Sequence, residues 1–426
     1  MIHCDCLIAG SGPAGLGTAF SLLEKNPSLK IILLESQEIS SGGLRNDCKM
    51  NFTFPVGFPL EYWTKELAEP YLARIEHFLN PDIMDKINLD TYEKRAEKIG
   101  VKLLNIRQSH LGTDGGIKLI KTLTSALIEK GVTLSFGETL ISADEKAHVA
   151  VTNKQEISYK SLVVAPGRHG FDFLRKFMEK TGIPYQDNSI DVGIRLETRE
   201  EHYPIVKDYY DPKFLFPENT RTFCTNSGSA HVVQEKYTSS KGDIYYSVNG
   251  HSYSDKLKPT GLVNFAMLRT VAFTEPIASG QDYAEYLGAL AMLTGGGHPI
   301  MQRVGDFRMR IRSTVSNPNS DLYDFEPTLK SATPGDISLA MPSKFLDSIW
   351  RAMKRLDTII PGLMHPSTIM YYPEIKLYAN KPVFINNFFM SAKDIYLIGD
   401  GAGTSRGITG AWASGMRAAD GIMRNL

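Results

Sequence analysis

Along this chain, short apolar runs that end in glycine alternate with helix-compatible stretches at both ends, and a different pattern fills the middle. Residues 4–9 form a short apolar run that reads as a strand, and residues 13–23 are compatible with a helix. Residues 30–35 give a second strand, and residues 132–136 and 161–165 look like two more strands of the same sheet. Near the other end, residues 394–399 form another strand ending in glycine, followed by a small-residue helix at 412–423. From about 185 to 370 the pattern changes, with alternation at 243–248 and 262–268 suggesting antiparallel strands. A helix is expected at 282–293, with its 286–293 stretch buried, and another at 344–356. The latter puts Phe345, Ile349 or Trp350, Met353 and Leu356 on one face. The expected fold is mixed α/β and α+β. A discontinuous Rossmann-like domain with a central parallel sheet takes residues 1–55, 100–185 and 370–426, residues 56–99 form a helical insertion, and an antiparallel-sheet-and-helix domain takes 186–369.

The opening strand runs into Gly10-Ser11-Gly12-Pro13-Ala14-Gly15. In such a turn Gly10 permits the tight reversal from strand to helix. Gly12 lets a pyrophosphate approach the backbone, and Gly15 lets the helix lie close on the sheet. Pro13 sits at the helix start, where its missing N–H costs nothing. The helix N-terminus then presents backbone N–H groups and a positive dipole end to phosphate. Glu35 lies 20 positions after Gly15 at the end of the next strand, where a ribose-binding carboxylate is expected, with Ser36 beside it. This unit predicts dinucleotide binding without distinguishing FAD from NAD.

The far end of the chain separates the two. Gly399-Asp400-Gly401 follows the late strand, and Ser405-Arg406-Gly407-Ile408 leads into the last helix. In flavoproteins related to glutathione reductase, such an aspartate accepts hydrogen bonds from the ribityl chain of FAD. The following helix aims its positive end at the flavin, which carries negative charge when reduced. Noncovalent FAD is therefore the expected cofactor, since no histidine or cysteine adjoins either motif. There is no second glycine fingerprint to seat a nicotinamide cofactor and no Cys-x-x-Cys, so the equipment of the disulfide reductases is lacking.

Composition narrows the reading further. At 426 residues, two or three domains are expected from about 150 residues per domain. Lys plus Arg equals Asp plus Glu at 47 each, with no basic block, which argues against nucleic acid as a partner. No run approaches the roughly 18 apolar residues of a membrane span, and no secretory signal opens the chain, so the cytoplasm is the expected compartment. Cys4, Cys6, Cys48 and Cys224 show no zinc spacing, and no metal site is expected; Cys4 and Cys6 are read as packing within the sheet.

The chain resembles a bacterial family of uncharacterised FAD-dependent dehydrogenases within the glutathione-reductase-like superfamily. The resemblance rests on Ser41-Gly42-Gly43, His110 to Asp114, Ala165 to Gly170, Asp191 to Glu197 and Val248 to Ser252. It continues through Gln302 to Asp306, Glu326 to Thr328, Pro334 to Asp336, Glu374 to Lys376 and Gly399 to Gly415. Family members often carry a cysteine-bearing stretch before the glycine pair, where this chain has only Cys48 nearby. The resemblance implies a flavin redox role and little about the substrate; the expected enzyme passes a hydride between a small-molecule substrate and flavin N5, with its electron partner left open. It adds Gly42, Gly43, Arg45, Ala165 and Gly167 to the expected cofactor contacts. A monooxygenase or prenyl-lipid reductase on the same scaffold, and a binding protein that keeps FAD as a structural element, are the rival readings.

Polar residues outside these motifs supply the catalytic candidates. His110, ahead of Gly112-Thr113-Asp114, is read either as a proton-transfer group or as a loop histidine capping the next helix. His251 follows Asn249-Gly250, a strong hairpin-turn signal, and is read as a turn residue or a substrate contact. Arg168 and Arg195 are read as binding an anionic substrate group or the flavin phosphates, or as surface ion pairs. His298 follows Gly295-Gly296-Gly297, which reads as a flexible loop over the site. Arg308, Arg310 and Arg312 would share one face of a strand, as an anion patch or as a solvated edge strand.

Overall fold

The computed structural model describes residues 2–40, 42–45, 48–239, 241–253, 259–273, 279–315, 324–377 and 380–425. The chain divides into two compact units, one of residues 1–84, 106–188 and 378–426, the other of residues 85–105 and 189–377. Residues 56–99, read above as one helical insertion, supply the helix Lys65–Leu79 to the first unit and Leu89–Glu97 to the second.

In chain order the first unit contains β1 (Ile2–Ala9), α1 (Pro13–Lys25), β2 (Ile31–Glu35), β3 (Lys49–Asn51), α2 (Lys65–Leu79), β4 (Gln108–His110) and α3 (Gly112–Glu129). It continues with β5 (Thr133–Phe136), β6 (Leu140–Asp144), β7 (Val149–Thr152), β8 (Glu156–Val164), β9 (Met390–Ala392), β10 (Ile395–Leu397) and α5, preceded by α4 (Phe171–Thr181) and spanning Ile408–Asn425. The sheet runs β5-β2-β1-β8-β10-β9. Its first five strands are parallel, and β9 pairs antiparallel with β10. All five residues of β2 are buried, an apolar run of four closed by Glu35, as in a strand covered on both faces.

Register decides where the turns emerge. Ala9 pairs with Leu34 of β2 and Val164 of β8, and Val164 pairs with Leu397 of β10. The four strands thus end level, so Glu35, Gly10, Ala165 and Gly399 leave the same edge. Above the sheet, α1 and α5 cross closely because glycines remove the obstructing carbons. A Cβ at Gly415 would lie 2.1 Å from the Ala14 carbonyl oxygen, and one at Gly17 would lie 2.5 Å from that of Trp412. Cys4 and Cys6 are buried in β1, and burial pushes the Cys4 thiol up to about 12, which keeps it protonated and inert.

The second unit is built on an antiparallel sheet in which Ile190–Arg199 lies between Ile369–Leu377 and Leu262–Val271. The helix Ser343–Ile359 buries Phe345, Ile349, Met353 and Leu356, while Trp350 is half-buried against Phe307. The helix Gly280–Thr294 departs from expectation over its second half. Tyr286 is 62% and Leu293 79% exposed, because the buried stripe runs through Ala284, Leu287, Gly288 and Ala291 instead.

Candidate functional site

Each glycine of the first turn answers a separate steric demand. Gly10 has φ +109, and a Cβ there would lie 2.2 Å from the Ala165 carbonyl oxygen; one at Gly15 would lie 1.9 Å from that of Gly10. Gly12 differs from both. Its φ of −69 suits any residue, and nothing lies within 4 Å of where its Cβ would be. Gly12 also caps α1 without any side-chain hydrogen bond, and Pro13 follows at the first helical position. The start of α1 therefore meets open space with backbone alone, at the positive end of its dipole.

The carboxylate of Glu35 is 4% exposed and accepts four hydrogen bonds. Oε2 accepts from Ser11 N at 3.1 Å and Ser11 Oγ at 2.6 Å, and Oε1 from Gln37 N at 3.0 Å and Ser36 Oγ at 3.3 Å. Ser40 Oγ in turn donates to the Ser11 carbonyl at 2.5 Å. Glu35 thus fixes the glycine turn from the neighbouring strand. Ser11 and Ser40 escaped the sequence reading because a serine inside a glycine turn carries no periodic signal.

Next along the edge, Ala165 and Gly167 lie against the late turn. A Cβ at Gly401 would lie 2.3 Å from the Gly167 carbonyl oxygen, whereas Gly167 itself, at φ +65, has nothing within 4 Å of its own Cβ position. Gly399 touches the first motif, its Cβ position being 3.0 Å from the Ala14 methyl. Asp400 accepts from Gly407 N at 2.9 Å and Ser405 Oγ at 2.8 Å, and the Arg168 guanidinium stands 3.9 Å away. Burial raises the Asp400 pKa above its ordinary value, against the opposing pull of Arg168, Gly407 N–H, Ser405 and Arg406. Gly407, at φ +82, faces open space and leads into Ile408 at the start of α5.

Gly42 and Gly43 form a short 3₁₀ turn, and a Cβ at Gly43 would sit 3.0 Å from Ile408. Arg45 and Arg406 are both exposed, and Arg406 N donates to the Gly57 carbonyl at 2.9 Å. Gly57 was missed although Pro55-Val56-Gly57 resembles other turns here. Its φ is +89, and a Cβ would lie 2.5 Å from the Arg406 carbonyl oxygen. Trp63 was also missed; its Nε1 donates to the Thr404 carbonyl at 2.8 Å, bracing the late turn from behind.

The catalytic candidates scatter. Arg168 stands beside Asp400. His110 ends β4, half-buried and paired in register with Lys49 of β3, in the first unit. His251 belongs to the second unit and lies within the strand Ile244–Tyr253, opposite His231, so the hairpin reading of Asn249-Gly250 fails. The glycine is required there for close approach instead. A Cβ on Gly250 would come within 2.3 Å of Arg195 Nη1 and 2.2 Å of Asn226 and Asn264 side-chain atoms. The two strands instead approach their connection beyond Thr238 and Ile244, where Ser239 Oγ accepts from Lys241 N and Asp243 N.

Arg195 is fully buried and joined to Glu374 by two bonds of 2.7 and 2.8 Å, with Nη1 donating to Asn264 Oδ1 at 2.8 Å. The pair is wholly buried, which corrects the expectation of a surface pair. Gly295-Gly296-Gly297 is a hydrogen-bonded end to the helix Gly280–Thr294, with Gly297 N donating to the Met292 carbonyl, so His298 follows a cap and not a loop over a site. Arg308 ends the short helix Val304–Arg308 and Arg310 has φ +60, which rules out the edge strand. Among the described residues no cluster of three potential metal ligands occurs, and no helix is long and apolar enough to cross a membrane.

No family model matches the chain, and no curated protein does. Among solved structures it is similar to glycine oxidase from Bacillus cereus ATCC 14579, at 13% identity over 99% of this chain and 96% of that one, with a TM-score of 0.41. L-amino acid deaminase from Proteus myxofaciens, in complex with anthranilate, gives 12% identity over 100% and 91%, with a TM-score of 0.44. L-amino acid deaminase from Proteus vulgaris lacking its specific insertion sequence gives 14% identity and a TM-score of 0.30, and the chain spans 61% of that protein's length.

Proposed function

We propose that this chain is an FAD-dependent oxidoreductase that moves a hydride between a small-molecule substrate and the flavin. The observation that carries the reading is the level ending of β2, β1, β8 and β10, which brings Glu35, the Gly10–Gly15 turn, Gly167 and the Asp400 turn to one sheet edge. Two motifs nearly 390 residues apart in sequence meet there, as Gly399 and Ala14 do. The edge of a parallel sheet beyond the carboxyl ends of its strands is where such folds bind ligands.

The residues present fit FAD. The open positions of Gly12, Gly167 and Gly407 leave backbone accessible at three of the turns. The start of α1 supplies N–H groups for a pyrophosphate, and Glu35 holds the turn ahead of it in place through Ser11. Asp400 spends two acceptor positions on Gly407 and Ser405, which leaves capacity for ribityl hydroxyls. The positive end of α5 begins one residue beyond Gly407. When bound, FAD supplies the hydride-accepting centre at N5; the chain supplies position, charge and exclusion of water. Arg168, beside Asp400, is the side chain best placed to tune charge in this turn, and the finer assignment to the dehydrogenase family rests on the sequence motifs.

The test is anaerobic. The yellow full-length protein is mixed with amines, amino acids and hydroxy acids, bleaching is followed, and an artificial acceptor is then added to restore the colour. Bleaching and recovery faster than with free FAD support the reading. If no donor or acceptor acts faster on the protein than on free FAD, the cofactor is structural and the enzyme reading fails.

A further inference from the structure

Arg417 is a buried cation with no carboxylate against it. It lies on α5 nine residues beyond Ile408, about 13 Å along the helix, so it is removed from the glycine turns. The residue is 6% exposed. Nη1 donates to the Tyr62 carbonyl at 2.7 Å, and the guanidinium lies 4.8 Å from the Trp63 ring centre and 4.7 Å from that of Phe389. Asp420, three residues further on the same helix, is engaged by Lys25 at 2.8 Å and by the Tyr71 hydroxyl at 2.6 Å. Among the described residues Arg417 forms no ion pair. Ring faces and one carbonyl offset only part of the several kcal/mol that burying an unpaired ion costs.

The same guanidinium lines a cavity of about 380 Å³ in the first unit, within the range of roughly 300–1,000 Å³ usual for small-molecule sites. Its other charged walls are Lys381 and Glu61, which neutralise each other at 2.6 Å and leave a net single positive charge. Tyr62 contributes a ring and a hydroxyl that burial pushes up to about 12, so it remains protonated and able to donate. The rest of the wall is mixed: Phe384, Phe389, Val383 and Ile385, the last two 45% and 63% exposed, stand beside the side-chain amides of Gln186, Asn386 and Asn387.

We propose that this cavity is a second ligand site, which takes a small monocarboxylate with an apolar body. One negative charge balances the one unpaired cation. The fork of the guanidinium suits a carboxylate, and the aromatic and aliphatic part of the wall suits a short acyl or aryl group. A phosphate dianion would leave surplus negative charge in a partly apolar wall, so the carboxylate is the better match.

Calorimetric titration of the purified full chain tests this, with sodium hexanoate as the probe and hexanamide as its neutral counterpart. Saturable hexanoate binding is expected, with hexanamide at least about tenfold weaker. Arg417→Gln should weaken hexanoate by at least about tenfold. Should that variant fail to fold, Ile385→Glu decides: it places a repelling charge at an exposed position and should weaken hexanoate while leaving the melting temperature unchanged. Absence of saturable hexanoate binding, equal binding of hexanamide, or wild-type affinity in a folded Arg417→Gln protein or in Ile385→Glu would overturn the proposal. Arg417 would then be only a brace between Trp63 and Phe389.

Discussion

Two carboxylates stand on the same sheet edge of the first unit, and they are held in different ways. Glu35 accepts from four donors and is almost wholly enclosed, so its geometry is set by the protein alone. Asp400 accepts from two, lies near a guanidinium at 3.9 Å, and has its pKa raised by burial. The N-terminal carboxylate is therefore part of the turn's construction, while the C-terminal one keeps acceptor capacity and an unfavourable charge that a ligand could relieve. The glycines divide similarly. Gly10, Gly15 and Gly401 are required by the chain's own backbone, whereas Gly12, Gly167 and Gly407 face open space.

The largest expected effect separates these two kinds of glycine. Gly12→Val should fold normally, because φ of −69 is open to any residue and no atom obstructs the side chain. It should nevertheless lose cofactor by about a hundredfold or more, since the added carbons fill the approach to the start of α1. Gly10→Ala should instead fail to fold, because its Cβ meets the Ala165 carbonyl at 2.2 Å. Melting curves and bound-flavin content of both variants check the distinction. A Gly12→Val protein with full flavin content would place the phosphates elsewhere.

Glu35→Ala comes next. Loss of the carboxylate that holds the Ser11 turn should lower FAD affinity by about tenfold or more, through the loosened turn. Because the same carboxylate holds Ser11 and Gln37, the variant should also melt earlier without cofactor. Equilibrium flavin binding and apo-protein melting read the two effects apart. Unchanged affinity with lowered stability would make Glu35 purely architectural.

Much of this edge was legible from residues alone, because turns are built from backbone and backbone demands glycine. Strands 132–136 and 161–165, the two terminal motifs and the small-residue helix were readable from apolar runs and glycine spacing. What stayed hidden depends on side chains meeting across sequence. Arg195, Glu374 and Gly250 come together only through sheet register, so Asn249-Gly250 read as a turn when it is a close approach inside a strand. Trp63 behind Thr404, and Ser40 behind Ser11, are likewise contacts between distant segments with no local pattern.

A smaller effect is expected at Asp400, and its sign follows from its raised pKa. The folded state holds this proton more tightly than the unfolded chain does. The group's contribution to stability is therefore fully present below the ordinary value of 3.8 and is lost as pH rises through the folded pKa. Asp400→Asn removes that titration, so the apo variant should lose less stability than wild type as pH rises through this window. Its FAD affinity should fall by only about tenfold or less, since a neutral acceptor replaces a charged one. Melting temperatures of both apo proteins across that range would show the difference; parallel curves would mean that Asp400 is not strained.

Arg168→Gln should do least. At 3.9 Å from Asp400 and with a side chain 43% exposed, the ion pair is worth under about 1 kcal/mol, or less than about fivefold in FAD affinity. A loss of turnover far beyond the change in binding would instead assign Arg168 to the chemistry.

The central claim is that the edge where Glu35, Gly12, Gly167 and Asp400 meet holds FAD. The most direct measurement is to denature the purified, folded full-length protein and identify and quantify the released chromophore by chromatography. The account predicts FAD, released without covalent attachment and stoichiometric with the chain. FMN, or a folded protein that neither carries flavin nor takes up added FAD, would contradict it.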